Sequence, residues 1–364
     1  MGTRRDVLGG IGAGVLASAL GGSAQAAPKR KLGYAVVGLG YYATKQILPN
    51  LKDCEFAELK ALVSGTPAKL EKYGAEYGIP KSHWYSYETY DRIRDNPDID
   101  LVYVVLPNSM HAEYSIRASQ AGKHVLCEKP MAVSVAECQA MIAAAKKAGK
   151  KLMIGYRCHF EPYNLKAIET VQSGALGKPT LIFAEHGFYA SPNQWRLDKA
   201  LSGGGSMMDI GIYSLNAARY LAGEEPVEVS AMEYTDRSDP RFKTVEDRID
   251  WQFRFPSGLI ADCVSSYSSN HNHYRVTGQK GWVELEPATN YEGQEMWTRL
   301  GGKRERVVLP KPAKNQFVRQ LDHLAECAMS GREPIVSGEE GLRDMRLIEA
   351  VYRSAREHRA IPLA

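Results

Sequence analysis

Three short segments of this 364-residue chain hold residues of the right type and spacing for redox and proton chemistry. Gly38-Leu39-Gly40-Tyr41-Tyr42-Ala43 has the glycine spacing of a turn that lets backbone approach a pyrophosphate. Glu128-Lys129-Pro130 sets an ammonium just beyond a short apolar run. Asp209 and Tyr213 stand four residues apart and can share one face of a helix. Each segment also has a plainer reading. A glycine pattern alone is a weak signal, Lys129 could be a surface lysine before a turn proline, and Asp209 could be a buried aspartate that orients a packed tyrosine.

The elements around the glycines decide the first case. Leu32 to Val37 is an apolar, β-branched strand and Thr44 to Leu51 reads as a helix, the context that the turn requires. Gly38 permits the tight turn, Gly40 the approach of phosphate oxygens to a positive helix end, and Ala43 close packing of helix on strand. Strands at 56–64, 101–106, 124–127 and 151–155 alternate with helices at 67–77, 87–94, 109–121 and 134–148. This predicts a Rossmann domain over 31–155, with a mostly parallel sheet covered on both faces.

Ligands in such sheets bind beyond the carboxyl ends of the strands. Lys129 follows one such end, and Leu106-Pro107-Asn108 with His111 follow another, so these residues and Glu128 join Gly38, Leu39, Gly40, Tyr41 and Tyr42 as expected cofactor neighbours. The second strand ends in Val63-Ser64-Gly65-Thr66, with no acid until Glu71. A carboxylate there would repel a ribose 2′-phosphate, whereas Ser64 and Lys69 can bind one, so NADP is favoured over NAD. The plainer alternative is a strand end followed by a solvent-facing lysine.

From Tyr156 the texture changes. After a helix at 162–172, polar/apolar alternation at 179–186, 227–234, 248–255, 259–267, 274–277, 281–285, 295–300 and 305–309 reads as one large, mostly antiparallel open sheet. Periodic segments at 315–327 and 340–358 are late helices that could pack back onto the first domain. This second domain, 156–364, is expected to carry substrate binding and oligomerisation. Its uncovered sheet face suits a homo-oligomer, dimer or tetramer.

Thr3-Arg4-Arg5, the apolar run 7–20 and Ala24-Gln25-Ala26 read as an export signal over 1–26, followed by an arm at 27–30. The arginine pair resembles a twin-arginine signal, which directs folded proteins to the periplasm, although a plain secretory signal also fits. The apolar run is too short for a permanent membrane span. A formal charge of +4, with 46 basic and 42 acidic residues, indicates no particular partner, and no sustained basic stripe with aromatic platforms suits nucleic acid. The six widely spaced cysteines read as buried free thiols before bridges, and no close His/Cys group argues for a metal.

The glycine turn, Glu128-Lys129-Pro130, Tyr156-Arg157 with Phe160, Trp195-Arg196, and Gly204-Gly205 followed by Asp209-Ile210-Gly211-Ile212-Tyr213 form a specific set. Through it the chain resembles the glucose-fructose oxidoreductase / inositol dehydrogenase family along its mature length. The signal and the NADP preference bring it nearest to the periplasmic glucose-fructose and aldose-aldose oxidoreductases. The resemblance implies that Lys129, Asp209 and Tyr213 meet across a crevice as the catalytic group, with Tyr213 transferring the proton. A free tyrosine has a pKa of about 10, and each unit of lowering needs about 1.4 kcal/mol, which the Lys129 ammonium would supply while Asp209 orients the sugar. Arg157, Phe160, Trp195 and Arg196 would close the sugar or nicotinamide pocket. The activity implied is ping-pong: an aldose oxidised at C1 to a lactone, then a second sugar reduced to an alditol, on one retained NADP. A conventional NADP-dependent sugar or inositol dehydrogenase and a non-catalytic sugar sensor are the competing readings.

Overall fold

The computed structural model describes residues 30–363. The export signal and residues 27–29 of the arm lie outside the described residues. Six parallel strands, β1 (Leu32–Val37), β2 (Ala57–Val63), β3 (Trp84–Tyr85), β4 (Leu101–Val104), β5 (His124–Cys127) and β6 (Leu152–Ile154), form one sheet in the order β3-β2-β1-β4-β5-β6. Val36, Val37 and the whole of β4 are fully buried, as apolar strands covered on both faces must be. Strand order reverses between β1 and β4, so the crevice that opens there lies beside Gly38, Leu106 and Glu128.

The helices around this sheet are α1 (Leu48–Leu51), α2 (Pro67–Glu76), α3 (His111–Gln120) and α4 (Val135–Ala148). Local chemistry sets the ends of α4. Ser134 accepts a hydrogen bond from Glu137 N, the Glu137 carboxylate accepts one from Val133 N, and Gly149 closes the last turn at φ +63°. The helix expected over 87–94 is instead a short 3₁₀ turn, Tyr90–Asp95. Ser86 and Thr89 explain the difference: each side-chain hydroxyl accepts from the other's backbone N–H, which competes with helical bonding.

The second sheet has nine strands: β7 (Pro179–Gly187), β8 (Glu228–Tyr234), β9 (Arg248–Arg254), β10 (Ile260–Ser266), β11 (His271–Gly278), β12 (Gly281–Leu285), β13 (Met296–Leu300), β14 (Lys303–Val307) and β15 (Ile361–Pro362). Their order is β14-β13-β12-β11-β7-β10-β9-β8-β15, and every pair is antiparallel except β7 with β10. Helices α5 (Pro162–Gln172), α6 (Lys199–Ser202) and α7 (Ile212–Ala222) precede β8, and α7 packs on β7 through the buried inner residues Ile182, Ala184 and His186. The opposite face is open, with Met232 and Tyr234 exposed by 73% and 62%.

The late helices α8 (Gln316–Ser330) and α9 (Gly338–Glu357) join the two sheets. Asp322 of α8 accepts from Phe56 N at 2.8 Å and Glu55 N at 3.1 Å, and Tyr34 of β1 donates to Leu321 O. Among the described residues no helix is long and apolar enough to cross a membrane.

Candidate active site

One wall of the crevice is made largely of backbone. Gly38 adopts φ +93°, and a Cβ there would fall 2.2 Å from Val105 O, so the turn excludes any side chain. A Cβ on Gly40 would meet nothing within 4 Å, which leaves open space in front of the turn. The helical turns that follow, π-spaced over Ala43–Ile47, are tied to the glycines by Thr44, whose backbone N–H and hydroxyl both donate to Gly40 O. A tight turn, an open front and helix amides together fit a dinucleotide pyrophosphate. At the end of β2, the buried Ser64 hydroxyl accepts from Thr66 N at 3.1 Å and keeps its own proton to donate. Lys69 stands exposed in the first turn of α2, which suits a 2′-phosphate. Tyr41 is 73% exposed beside the glycines, Leu39 is buried, and Tyr42 packs on Tyr291 and Phe317.

The opposite wall is made of charged side chains. Lys129 leaves β5 and crosses the crevice, where its ammonium donates to the backbone carbonyl of Asp209 at 2.6 Å and lies 3.4 Å from Asp209 Oδ1. Asp209 Oδ2 lies 2.8 Å from Arg196 Nε and accepts from the Tyr267 hydroxyl at 3.2 Å. Burial alone would raise the Asp209 carboxyl; Arg196, then Lys129 and Tyr267, outweigh it and hold the group below the usual carboxylate range. Trp195 supports this from behind, with the Arg196 guanidinium 4.7 Å from its ring centre.

The chain widens to π spacing over Met207–Gly211 before α7 begins at Ile212, and Asp209 and Tyr213 both come within reach of Lys129. Lys129 Nζ lies 4.8 Å from the Tyr213 ring centre, but the hydrogen bond to the phenolic oxygen comes from Arg157 Nη2, at 3.1 Å. Thus the cation in hydrogen-bond contact with the phenolic oxygen is Arg157, with Lys129 over the ring. Arg157 is buried, and Thr289 O, Asn290 O and Gln316 Oε1 fix its fork in place.

Several expected neighbours stand behind the walls. The buried Asn108 donates to Ser202 O at 2.9 Å and so ties the β4 loop to α6. Both ring nitrogens of His111 face carbonyls between the β4 and β5 loops, Pro130 O at 2.8 Å and Leu106 O at 2.9 Å; burial pushes its pKa down to about 4 against the opposing pull of the two carbonyls. Phe160 is buried, with its ring against His323. Glu128 is buried too, accepting from the Tyr103 hydroxyl at 2.5 Å and from Lys129 N at 3.2 Å, and burial raises its carboxyl.

Sequence reasoning missed the residues that hold these groups. Glu246, just before β9, accepts from Gly205 N, Met207 N and the Tyr352 hydroxyl, and so fixes the loop that delivers Asp209. Tyr267, Tyr291 and Gln316 likewise come from distant loops or helices. Among the described residues, ligand atoms of His273, Glu284 and Glu286 lie within 4.8 Å of one another, a grouping that sequence spacing does not reveal. His273 belongs to β11, Glu284 to β12, and Glu286 follows β12 directly.

The chain matches two family models: an oxidoreductase family with an NAD-binding Rossmann fold over residues 32–156, and the GFO/IDH/MocA C-terminal domain over 164–284. A D-xylose 1-dehydrogenase [NADP(+)] of Haloarcula marismortui is 30% identical over 349 residues, covering 93% of this chain and 95% of that protein. The crystal structure of an aldose-aldose oxidoreductase from Caulobacter crescentus complexed with glycerol is 62% identical and superposes with a TM-score of 0.90, covering 92% of this chain and 100% of that one. A 3-ketoreductase from Actinomadura kijaniata, solved with NADP and TDP-benzene, is 25% identical with a TM-score of 0.79, over 89% and 98% of the two chains. With the glycine turn, the lysine that follows β5 and the open second sheet in these positions, the chain belongs to the GFO/IDH/MocA oxidoreductase family.

Proposed function

We propose that this protein is a sugar oxidoreductase that keeps NADP bound, oxidises an aldose at C1 to a lactone, and then reduces a second sugar, aldose or ketose, to an alditol. The observation that carries the reading is the meeting of Lys129, Asp209, Tyr213 and Arg157 beside the dinucleotide turn. NADP supplies the hydride acceptor and donor, and the residues of this chain manage orientation and protons. In the first half-reaction Tyr213, as phenolate beside Arg157, takes the proton from the C1 hydroxyl as that carbon loses hydride. In the second, the resulting phenol returns a proton to the oxygen of the carbonyl being reduced. Atoms and charge balance over the pair, since the second sugar gains the hydride and proton that the first lost. Lys129 is a donor to the reacting oxygen, and Asp209 with Arg196 fixes the sugar's orientation.

In this reading residues 31–155 hold the cofactor and 156–364 carry the sugar and the contacts between subunits. The open face of the second sheet supports a homo-oligomer, dimer or tetramer. Arg4-Arg5, the apolar run and Ala24-Gln25-Ala26 support export of the folded protein to the periplasm, where replacing lost cofactor would be difficult.

The test uses purified protein with no added cofactor. Glucose alone giving gluconate and sorbitol in equal amounts supports aldose-aldose activity, while glucose with fructose giving sorbitol beyond that amount supports a ketose acceptor. Absence of paired products overturns the retained-cofactor mechanism. The name of the archaeal relative favours a second reading, an NADP-dependent sugar dehydrogenase that releases reduced cofactor each turnover. Protein that loses all nucleotide on dialysis and turns over only with added NADP supports that one.

A further inference from the structure

His186, at the end of β7, belongs to none of the groups above, yet its ring centre lies 5.7 Å from that of Tyr213 with the planes 33° apart. It is 1% exposed. Its Nδ1 is 2.8 Å from Ser214 Oγ, and Ser214 in turn donates to Val264 O of β10 at 3.0 Å. A hydroxyl has one proton. With that proton on Val264 O, Ser214 can only accept from the ring, so Nδ1 carries the hydrogen and Nε2 the lone pair. Nε2 is buried and has no hydrogen-bond partner among the described residues.

From this geometry we infer that His186 is a positioning residue for Tyr213: with Ser214 it clamps the first turn of α7 onto β7 and β10 and backs the phenol ring from the sheet side. The clamp is local to the reacting group, since Ser214 is the residue after Tyr213. It acts in the same place as Arg157, which holds the phenolic oxygen from the other end. Burial, with Arg157, His273 and His271 as nearby groups that can carry positive charge, pushes the His186 pKa down to about 3. The ring is therefore neutral throughout the pH range in which the enzyme works, and the clamp does not titrate. Its orphaned nitrogen has a further consequence. Because Nε2 bonds nothing, a benzyl side chain of similar shape leaves no new partner stranded there, and only the bond to Ser214 is lost.

The inference rests on the proposed role of Tyr213, and the test separates the two. His186→Phe and Ser214→Ala are compared with wild type for sugar-dependent reduction of NADP in a single turnover, alongside thermal melting and NADP binding. Each variant is expected to slow the chemical step about tenfold, with the sugar KM within about twofold and NADP binding unchanged, as befits the loss of one buried hydrogen bond. The double variant is expected to be no slower than either single one, because both remove the same clamp. His186→Asn, which can still donate to Ser214, is expected to recover part of the loss. In a Tyr213→Phe background, His186→Phe is expected to change the residual rate less than twofold. Wild-type rates in folded His186→Phe and Ser214→Ala overturn the inference, as does an equal loss with and without Tyr213. If wild-type protein itself shows no sugar-dependent reduction, the proposed function fails instead.

Discussion

The two walls of the crevice are built from different materials. The cofactor wall is a glycine turn, and what it offers a ligand is backbone N–H groups and empty space in front of Gly40. The facing wall is a set of fixed side chains in which Lys129, Arg196, Asp209, Arg157 and Tyr213 hold one another through distances of 2.6 to 3.4 Å. Backbone recognition tolerates no added atom but needs no particular side-chain chemistry. The side-chain wall has the reverse property: it can be rebuilt in shape, but each polar group has a named partner, and removing one strands another.

Substitutions on each side put this contrast at risk. The largest loss is expected from Tyr213→Phe, which removes the proposed proton-transfer group without changing the ring; sugar-dependent reduction should fall by about 10² to 10⁴ while NADP stays bound. A rate within tenfold of wild type would move the chemistry off this wall. Gly38→Ala comes next. It adds one methyl group at φ +93° against Val105 O, and should cost roughly 1–3 kcal/mol in melting experiments and weaken cofactor retention, whereas Tyr213→Phe should leave retention intact. Equal retention in both variants would erase the distinction between the walls.

Ser64→Asp tests the one place where the cofactor wall uses a side chain. A carboxylate at the end of β2 should shift preference from NADP toward NAD by about tenfold, read as a ratio of affinities. The smallest effect is expected from Arg196→Met, and it is a change of profile. Arg196 is the strongest of the groups holding the Asp209 carboxyl down, so its removal raises that pKa, and the acid limb of the pH–rate curve should move to higher pH. Movement to lower pH would mean that Asp209 is not the group titrating there.

How far each wall could be read from sequence follows from the same contrast. The cofactor wall is local: Gly38, Gly40 and Ala43 lie within six residues of one another, and strand, turn and helix follow directly. Lys129 and Tyr213 were also legible, but only one at a time. The residues that hold the site from behind were not, because they arrive from far along the chain. Arg157 meets Gln316 across 159 residues, Tyr103 meets Gln320 across 217, and Glu246 reaches back 41 residues to Gly205. Glu246 carries no motif. Its presence shows in the crowding at Gly205, where a Cβ would fall 2.1 Å from Glu246 O. The π turn over Met207–Gly211 was hidden for a different reason: periodicity assumes a regular helix.

Lys129 has a mechanical side as well. Its ammonium grips the peptide carbonyl of Asp209 from the far side of the crevice, so the side chain proposed as a donor to the sugar is also a latch between the two halves. Any parting of the walls wide enough to let a dinucleotide out must first undo that grip and leave an ammonium without its carbonyl. The position that is poised for turnover is thus also the position that resists leakage, and a change that loosens one loosens the other.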